Sequence, residues 1–272
     1  MTKTFAVIGD PIDHSLSPLI HNAAFRELDL DCTFIAYRVA KGELEEGISS
    51  LKKIKVSGFN VTIPHKVEMM KLLDKTDESC SIIGAVNTVS NNENILKGYN
   101  TDMDGFLDPF KKKDITLNNS NILLLGAGGA ARAIVAGFAK EKAKSITIAN
   151  RTLQKAKEIS EFSQKLGLDA NPTSIDSVIA DDRFDVIVNA TSIGLQNEPS
   201  PISFDKVKSG TIVYDIVYRP MNTDFISKAK EKNATIIYGY EMLLGQAVRA
   251  FEIWHEMEAP YNAMKKALLG GF

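Results

Sequence analysis

Three stretches of this chain carry side chains or glycines at spacings that chemistry can use. The first is Ile122-Leu123-Leu124-Leu125-Gly126-Ala127-Gly128-Gly129-Ala130-Ala131-Arg132. An apolar run without alternation suits a strand covered on both faces. Gly126 and Gly128 then let the backbone turn tightly and come close to a bound group. Ala131 takes the third small position of the G-x-G-x-x-G/A fingerprint. The helix that follows would aim free N–H groups at a pyrophosphate. The plain alternative is a strand-to-helix turn that binds nothing. A strand before the glycines and a helix after them favour a dinucleotide.

The second stretch is Ala149-Asn150-Arg151-Thr152. In a dinucleotide fold, an acidic residue about 20 positions after the glycines holds the 2′-hydroxyl of NAD. No carboxylate is available here. Arg151, with Lys155 one helical turn later, offers positive charge to a 2′-phosphate, which favours NADP over NAD. The alternative is a surface arginine paired with Glu158 or Asp169.

The third lies in the N-terminal part. In Asp13-His14-Ser15-Leu16-Ser17-Pro18, Ser17 reads as a helix N-cap with proline at the first helical position. Ser15 is not needed for that cap, and two hydroxyls beside a helix start suit a carboxylate. Lys66 is expected in the first turn of a helix opened by Pro64. The helix dipole opposes a cation there, so Lys66 is either solvent-facing filler or functional. From position alone Asp102 reads as an N-cap.

These residues need elements to carry them. Strands are expected near 4–9, 33–39, 58–63, 85–90 and 95–99, the last two joined by an Asn-rich turn at 91–94. Helices are expected after Ser17, near 43–51, after Pro64 and from Asp102. Pro109 should bend or shorten that last helix, and residues 111–120 read as a linker. Further strands are expected near 122–125, 145–149, 185–189, 210–215 and 235–238. Thr152 should cap one intervening helix, another covers 223–232, and residues from Gly239 onward are helical. Such alternation implies a parallel, doubly wound sheet.

Composition narrows the field. The chain has 272 residues and a formal net charge of −2, which gives no reason to expect nucleic acid or an anionic membrane as partner. No apolar run approaches the roughly 18 residues of a membrane span. Cys32 and Cys80 form no C-x-x-C, and the N-terminus does not read as a signal peptide, so a cytoplasmic location is expected. His14, His21, His65 and His255 show no metal-ligand spacing, so no metal is expected. A homodimer is compatible with these features.

Several motifs together resemble the shikimate dehydrogenases over nearly the whole length. They are His14-Ser15-Leu16-Ser17-Pro18 with His21-Asn22, Asn60-Val61-Thr62-Ile63-Pro64-His65-Lys66, Gly84-Ala85-Val86-Asn87-Thr88 and Asn100-Thr101-Asp102. The glycine turn, Asn150-Arg151-Thr152, Asp215-Ile216-Val217-Tyr218-Arg219-Pro220 and Gly239-Tyr240-Glu241-Met242-Leu243 with Gln246 complete the set. The resemblance implies two α/β domains. A substrate domain would be made of residues 1–103 and 239–272, with a Rossmann-type NADP domain, 104–238, inserted between its parts. It implies reversible reduction of 3-dehydroshikimate to shikimate by NADPH, a step of aromatic amino-acid biosynthesis.

It also implies roles. Lys66 and Asp102 are the catalytic pair, Ser15 and Ser17 hold the substrate carboxylate, and Thr62, Asn87 and Gln246 hold ring hydroxyls, with Tyr218 nearby. Gly126, Ala127, Gly128, Gly129 and Ala130 would cradle the cofactor. Asn150, Arg151, Thr152 and Lys155 would face its adenosine phosphate, and Thr191, Ser192, Ile216, Gly239 and Met242 would lie around the rest. Two features depart from the family pattern: Pro109, and the lack of a glycine soon after Trp254. The rival readings are a quinate or dual-substrate enzyme and a non-catalytic NADP sensor of the same fold.

Overall fold

The computed structural model describes residues 2–272. The chain packs as two compact units. One holds the residues up to Gly105 together with Leu244–Phe272, and the other is Phe106–Leu243.

The first unit begins β1 (Lys3–Gly9), α1 (Ser17–Glu27), β2 (Cys32–Arg38), α2 (Leu44–Lys53) and β3 (Gly58–Val61). A short 3-10 turn (Glu68–Leu72), β4 (Lys75–Thr76), α3 (Glu78–Ile83), β5 (Thr88–Asn92) and β6 (Ile95–Tyr99) follow. Then comes α4 (Asp102–Lys112), inside which the first division falls. The second unit continues with β7 (Asn121–Leu125), α5 (Ala131–Lys140), β8 (Ser145–Asn150), α6 (Leu153–Lys165) and β9 (Asp169–Ser174). It is completed by β10 (Val186–Asn189), β11 (Ile212–Asp215), α7 (Asp224–Glu231) and β12 (Thr235–Tyr238). The second division falls inside α8 (Gly239–His255), and α9 (Tyr261–Gly270) closes the chain.

The sheet of the first unit runs β2-β1-β3-β5-β6-β4. β1 is parallel to β2 and β3, whereas β3–β5 and β5–β6 are antiparallel. This brings several chain ends to one edge. β1 and β3 finish there, Asn60 pairs with Thr88, and Thr88 pairs with Tyr99. Asn87 and Asn100, one residue outside their strands, therefore lie at that edge too. The β5–β6 turn is confined to Glu93 and Asn94, both at positive φ (51° and 69°), the backbone of a two-residue hairpin.

The second sheet, β12-β11-β10-β7-β8-β9, is parallel throughout. Its order reverses between β7 and β10, as in a doubly wound dinucleotide fold. Leu123, Leu125, Ile187 and Val213 meet Phe204, Phe225 and Ile226 in its core.

Two local expectations fail. α1 starts one residue early, so Ser17 is its first helical residue and caps nothing, while Leu16 holds the cap position. Pro64 opens no helix: Lys66 lies in a turn ahead of the 3-10 segment, and the dipole argument about its charge lapses. Thr152 takes the expected α6 cap position, though without a side-chain cap bond. Pro109 lies inside α4, which runs on to Lys112. A strand that was not expected, β9, carries Pro172 at the sheet's edge, where a missing N–H disturbs no central ladder.

The tail needs no glycine after Trp254, because Glu256 adopts the left-handed backbone (φ 53°) before α9 begins. Trp254 donates Nε1–H to the Val89 carbonyl at 3.0 Å. Beside it His21, fully buried, stacks on Phe34 with ring centroids 4.4 Å apart. Neither ring nitrogen of His21 has a hydrogen-bond partner. Burial, aided by His255, pushes His21 down from 6.5 to about 3, and burial with Lys3 takes His255 to about 4.

A depressed histidine keeps the folded chain neutral where the unfolded chain is protonated. Stability therefore falls as pH drops below 6.5 towards those values. Denaturant melts at pH 7 and pH 4.5 should differ less in His21→Leu than in the parent, by about 2 kcal/mol. An unchanged difference would show that His21 is not the proton acceptor.

Candidate active site

The chemistry gathers at the edge of the first sheet where β1 and β3 end. The loop leaving β3 is tied to its neighbours: Thr62 N donates to the Ile8 carbonyl at 2.9 Å, and Asp10 N to the Ile63 carbonyl at 2.9 Å. His65, fully buried, places Nε2 2.7 Å from the Val39 carbonyl. The Lys66 carbonyl accepts from Val86 N at 2.9 Å. The lysine's backbone is thus pinned from both sides.

Its side chain meets Asp102, with Lys66 Nζ 2.5 Å from Asp102 Oδ2. Lys66 is 22% and Asp102 10% exposed by side chain, so the pair is sheltered yet reachable. The other oxygen, Oδ1, accepts from Asn87 Nδ2 at 2.8 Å. Asp102 lies in the first turn of α4, where the helix dipole favours an anion, and its side chain serves the lysine rather than capping. Asp102 N donates to Asn100 Oδ1 at 3.1 Å, and Asn100 Nδ2 to the Ala85 carbonyl at 2.9 Å.

Asn87 is the hub. Its nitrogen also donates to Thr101 Oγ1 at 2.9 Å, and its Oδ1 accepts from Thr101 N at 2.8 Å and from Thr88 Oγ1 at 3.0 Å. Both amide donors are therefore committed within the protein. Asn60 Nδ2 supports the hub by donating to Thr88 Oγ1 at 3.0 Å. Asn60, Thr88 and Thr101 were not expected as parts of this site. The available signal was a buried amide in β3, an otherwise apolar strand.

Ser15 and Ser17 sit at the start of α1, after β1. Ser15 Oγ accepts from Ser17 N at 3.3 Å, so Ser15 does the local work that Ser17 was expected to do. Thr62 is half-buried beside the lysine loop, and Gln246 is a buried polar residue of α8 in the same unit. Tyr218 belongs to the other unit, on the loop after β11, where burial pushes its phenol above the usual range.

In that unit the glycine turn follows β7. Gly126 has φ +105°, and a Cβ there would stand 2.7 Å from the Ala190 carbonyl oxygen. Gly128 and Gly129 are exposed, with nothing within 4 Å of a built Cβ. Ala130 holds the α5 cap position without a side-chain cap bond, and Ala131 N donates to the Gly128 carbonyl at 3.1 Å, which closes the turn onto the helix start. This open turn beside Ala127, at the start of a helix, has the room that the pyrophosphate of a dinucleotide needs.

Asn150 ends β8 and donates Nδ2–H to the Thr152 carbonyl at 2.9 Å. Arg151, Thr152 and Lys155 are exposed, and neither Arg151 nor Lys155 enters an ion pair among the described residues. The pairing of Arg151 with Glu158 or Asp169 does not form. Across the sheet, Thr191 donates N–H and Oγ1–H to Asn189 Oδ1 at 3.1 and 2.6 Å, and Ser192 beside it is exposed. Ile216 follows β11, and Gly239 comes so close to it that a Cβ would stand 2.5 Å from the Ile216 carbonyl oxygen. Met242 is buried on α8. No helix is long and apolar enough to cross a membrane, and no cluster of three or more metal-ligating side chains occurs among the described residues.

Comparisons with known proteins agree with this architecture. Family models described as the shikimate dehydrogenase substrate binding domain, shikimate / quinate 5-dehydrogenase and the shikimate 5'-dehydrogenase C-terminal domain match residues 7–89, 110–198 and 239–269. The shikimate dehydrogenase (NADP(+)) of Nitrosopumilus maritimus is 76% identical over 100% of both chains. A crystal structure of a shikimate dehydrogenase in complex with NADP+ superposes with a TM-score of 0.92 at 37% identity, covering 99% of this chain and 95% of the other. A ligand-free 5-ketofructose reductase of Gluconobacter also reaches 0.92, at 31% identity over 100% and 99%. On this identity and coverage, the chain belongs to the shikimate dehydrogenase family.

Proposed function

We propose that this chain is an NADP-dependent shikimate dehydrogenase that interconverts 3-dehydroshikimate and shikimate, and that it works in the cytoplasm. The observation that carries the reading is the Lys66–Asp102 contact at 2.5 Å, with Asn87 on the far carboxylate oxygen. Reducing a ketone needs a hydride, a partner for the growing negative charge and a proton. NADPH, when bound, supplies the hydride.

Lys66 supplies the other two. Its ammonium donates to the carbonyl oxygen, steadies the developing alkoxide and delivers the proton from Nζ. Asp102 aims that ammonium and accepts from a neighbouring ring hydroxyl. Asn87 orients Asp102. Ser15 and Ser17, at the N-terminus of α1, hold the substrate carboxylate. Thr62, Gln246 and Tyr218 complete the polar wall by family membership. In the reverse direction the same pair takes the alcohol proton. The turn at Gly126–Ala130 holds the pyrophosphate, Arg151 and Lys155 hold the 2′-phosphate, and Thr191, Ser192, Ile216, Gly239 and Met242 line the nicotinamide end.

One observation favours keeping a second substrate class in view. A 5-ketofructose reductase shares this fold at 31% identity, so the scaffold accepts a different polyhydroxylated ketone. The relative at 76% identity favours shikimate.

The spectrophotometric oxidation of shikimate with NADP, beside quinate and NAD controls, tests the assignment. Turnover with shikimate and NADP should exceed both controls in kcat/KM, and turnover of quinate alone would discard it. Lys66→Ala should lower kcat by about 10²- to 10⁴-fold with an unchanged far-ultraviolet spectrum. Intact turnover would remove Lys66 from the chemistry. Arg151→Ala should raise KM for NADPH by about tenfold or more, as loss of a charge-assisted phosphate contact requires, and leave KM for NADH nearly unchanged. Equal effects would reject Arg151 as the phosphate reader.

A further inference from the structure

Asp215 is the last residue of β11 and is fully buried. Its Oδ1 accepts from Asn189 Nδ2 at 2.9 Å and from Val217 N at 3.0 Å, and its Oδ2 from Thr223 Oγ1 at 2.6 Å. The donors are an amide, a backbone N–H and a hydroxyl, and no cation pairs with the carboxylate among the described residues. Each donor leads to a different segment at the carboxyl edge of the sheet. Asn189 carries the turn at Thr191 and donates to the Ile193 carbonyl at 3.1 Å. Val217 belongs to the loop that follows β11, and Thr223 caps α7 by accepting from Ile226 N at 3.2 Å.

A charge is an expensive way to build such a knot. Burial without a counter-ion opposes ionisation, and it pushes the Asp215 carboxyl from 3.8 up to about 6. With the folded value above the unfolded one, the ionised form costs stability above pH 6, and that cost fades as pH falls. A buried carboxylate kept at that cost, on an edge that binds ligands, points to an electrostatic role. In a sheet of this order the pyrophosphate sits at the turn after β7, adenosine lies on the β8–β9 side, and the nicotinamide end lies over β10–β12. That ring is cationic when oxidised and neutral when reduced.

We propose that Asp215 is a positioning residue that sets the Thr191 and Val217 loops, and that its unpaired negative charge makes the site hold the oxidised cofactor in preference to the reduced one. The proposal rests on the reading of this unit as an NADP site.

The test is the dissociation constants of NADP+ and NADPH, measured separately by calorimetry and by nicotinamide fluorescence at pH 8. The Asp215→Asn variant keeps a carbonyl acceptor and removes the charge. The ratio Kd(NADP+)/Kd(NADPH) should rise by about three- to tenfold, the order expected for one charge acting across several ångströms of protein. A variant that weakens both forms equally would reduce Asp215 to a structural knot and overturn the proposal.

Should the variant fail to fold, the parent protein answers the same question. Its ratio should rise as pH is lowered from 8 to 5. The groups packed on Asp215 from β10, its own loop and α7 are Asn189, Val217 and Thr223. Tyr238 stands opposite on β12, and the nearby α7 charges, Asp224 and Lys228, pair with each other at 2.8 Å. Titration of the cofactor's own phosphate cancels in the ratio. A flat ratio overturns the proposal. A parent protein that binds neither form would sink the cofactor reading itself, whereas tight binding with an unmoved ratio sinks this proposal alone.

Discussion

Lys66 and Asp102 lie 36 positions apart, and they touch because strands from separate hairpins and crossovers end at one edge in one register. A half-sheltered ion pair is poor evidence of stability, since desolvation offsets most of its Coulomb gain. Its worth here is placement. The lysine's backbone hangs from Val86, and the aspartate's far oxygen hangs from Asn87, the next residue. A shift of one residue between β3 and β5 would turn Asn60 and Thr88 to opposite faces and dismantle the hub under Asn87. Sheet register is therefore the constraint on which the chemistry depends.

The second unit repeats the device with different residues. β10 and β11 are apolar strands that each end on a buried polar side chain, Asn189 and Asp215. In both units a buried polar side chain at or beside a strand end, Asn87 in one and Asn189 and Asp215 in the other, fastens the neighbouring loops. Loops held only by their own turns would be mobile. Loops fastened to the end of a buried strand inherit its rigidity, which is what positioning a reacting atom requires.

Much of this was legible in the residues. The parallel alternation after β7, the hairpin near Asn94 and the glycine turn follow from local rules of pattern and turn chemistry. The motif around Lys66 pointed to the family but not to its own backbone. Lys66 was expected in a helix, and the helix dipole was expected to oppose its charge, yet the segment folds as a turn and a short 3-10 stretch. β9 went unseen because Asp169-Ala170-Asn171-Pro172-Thr173-Ser174 has neither alternation nor an apolar run, and only its place at the sheet's edge lets it be a strand. The Asn87 hub was out of reach for another reason: its partners come from β3, β5 and the α4 start, a long-range match that no local pattern encodes. The residue types were readable, but their mutual orientation was not.

The glycine fingerprint shows how a motif can be divided by cause. Gly126 is demanded by the protein itself: its φ is +105°, and a side chain would strike the Ala190 carbonyl. Any strand-to-helix turn of this shape needs it, ligand or none. Gly128 and Gly129 answer to nothing in the chain, because a methyl group at either would meet open space. Glycine at an unobstructed, exposed position with ordinary backbone angles gains no packing and costs conformational entropy, about 0.5–1 kcal/mol relative to alanine within regular structure. Open space at both positions is what the proposed cofactor contact requires, because a bound group could approach the backbone closely there. In the proposed reading, the start of α5 beside those glycines faces the pyrophosphate, and the exposed Arg151 faces a further phosphate. The turn's geometry alone asks for glycine at Gly126; Gly128 and Gly129 leave the room that the proposed pyrophosphate contact uses.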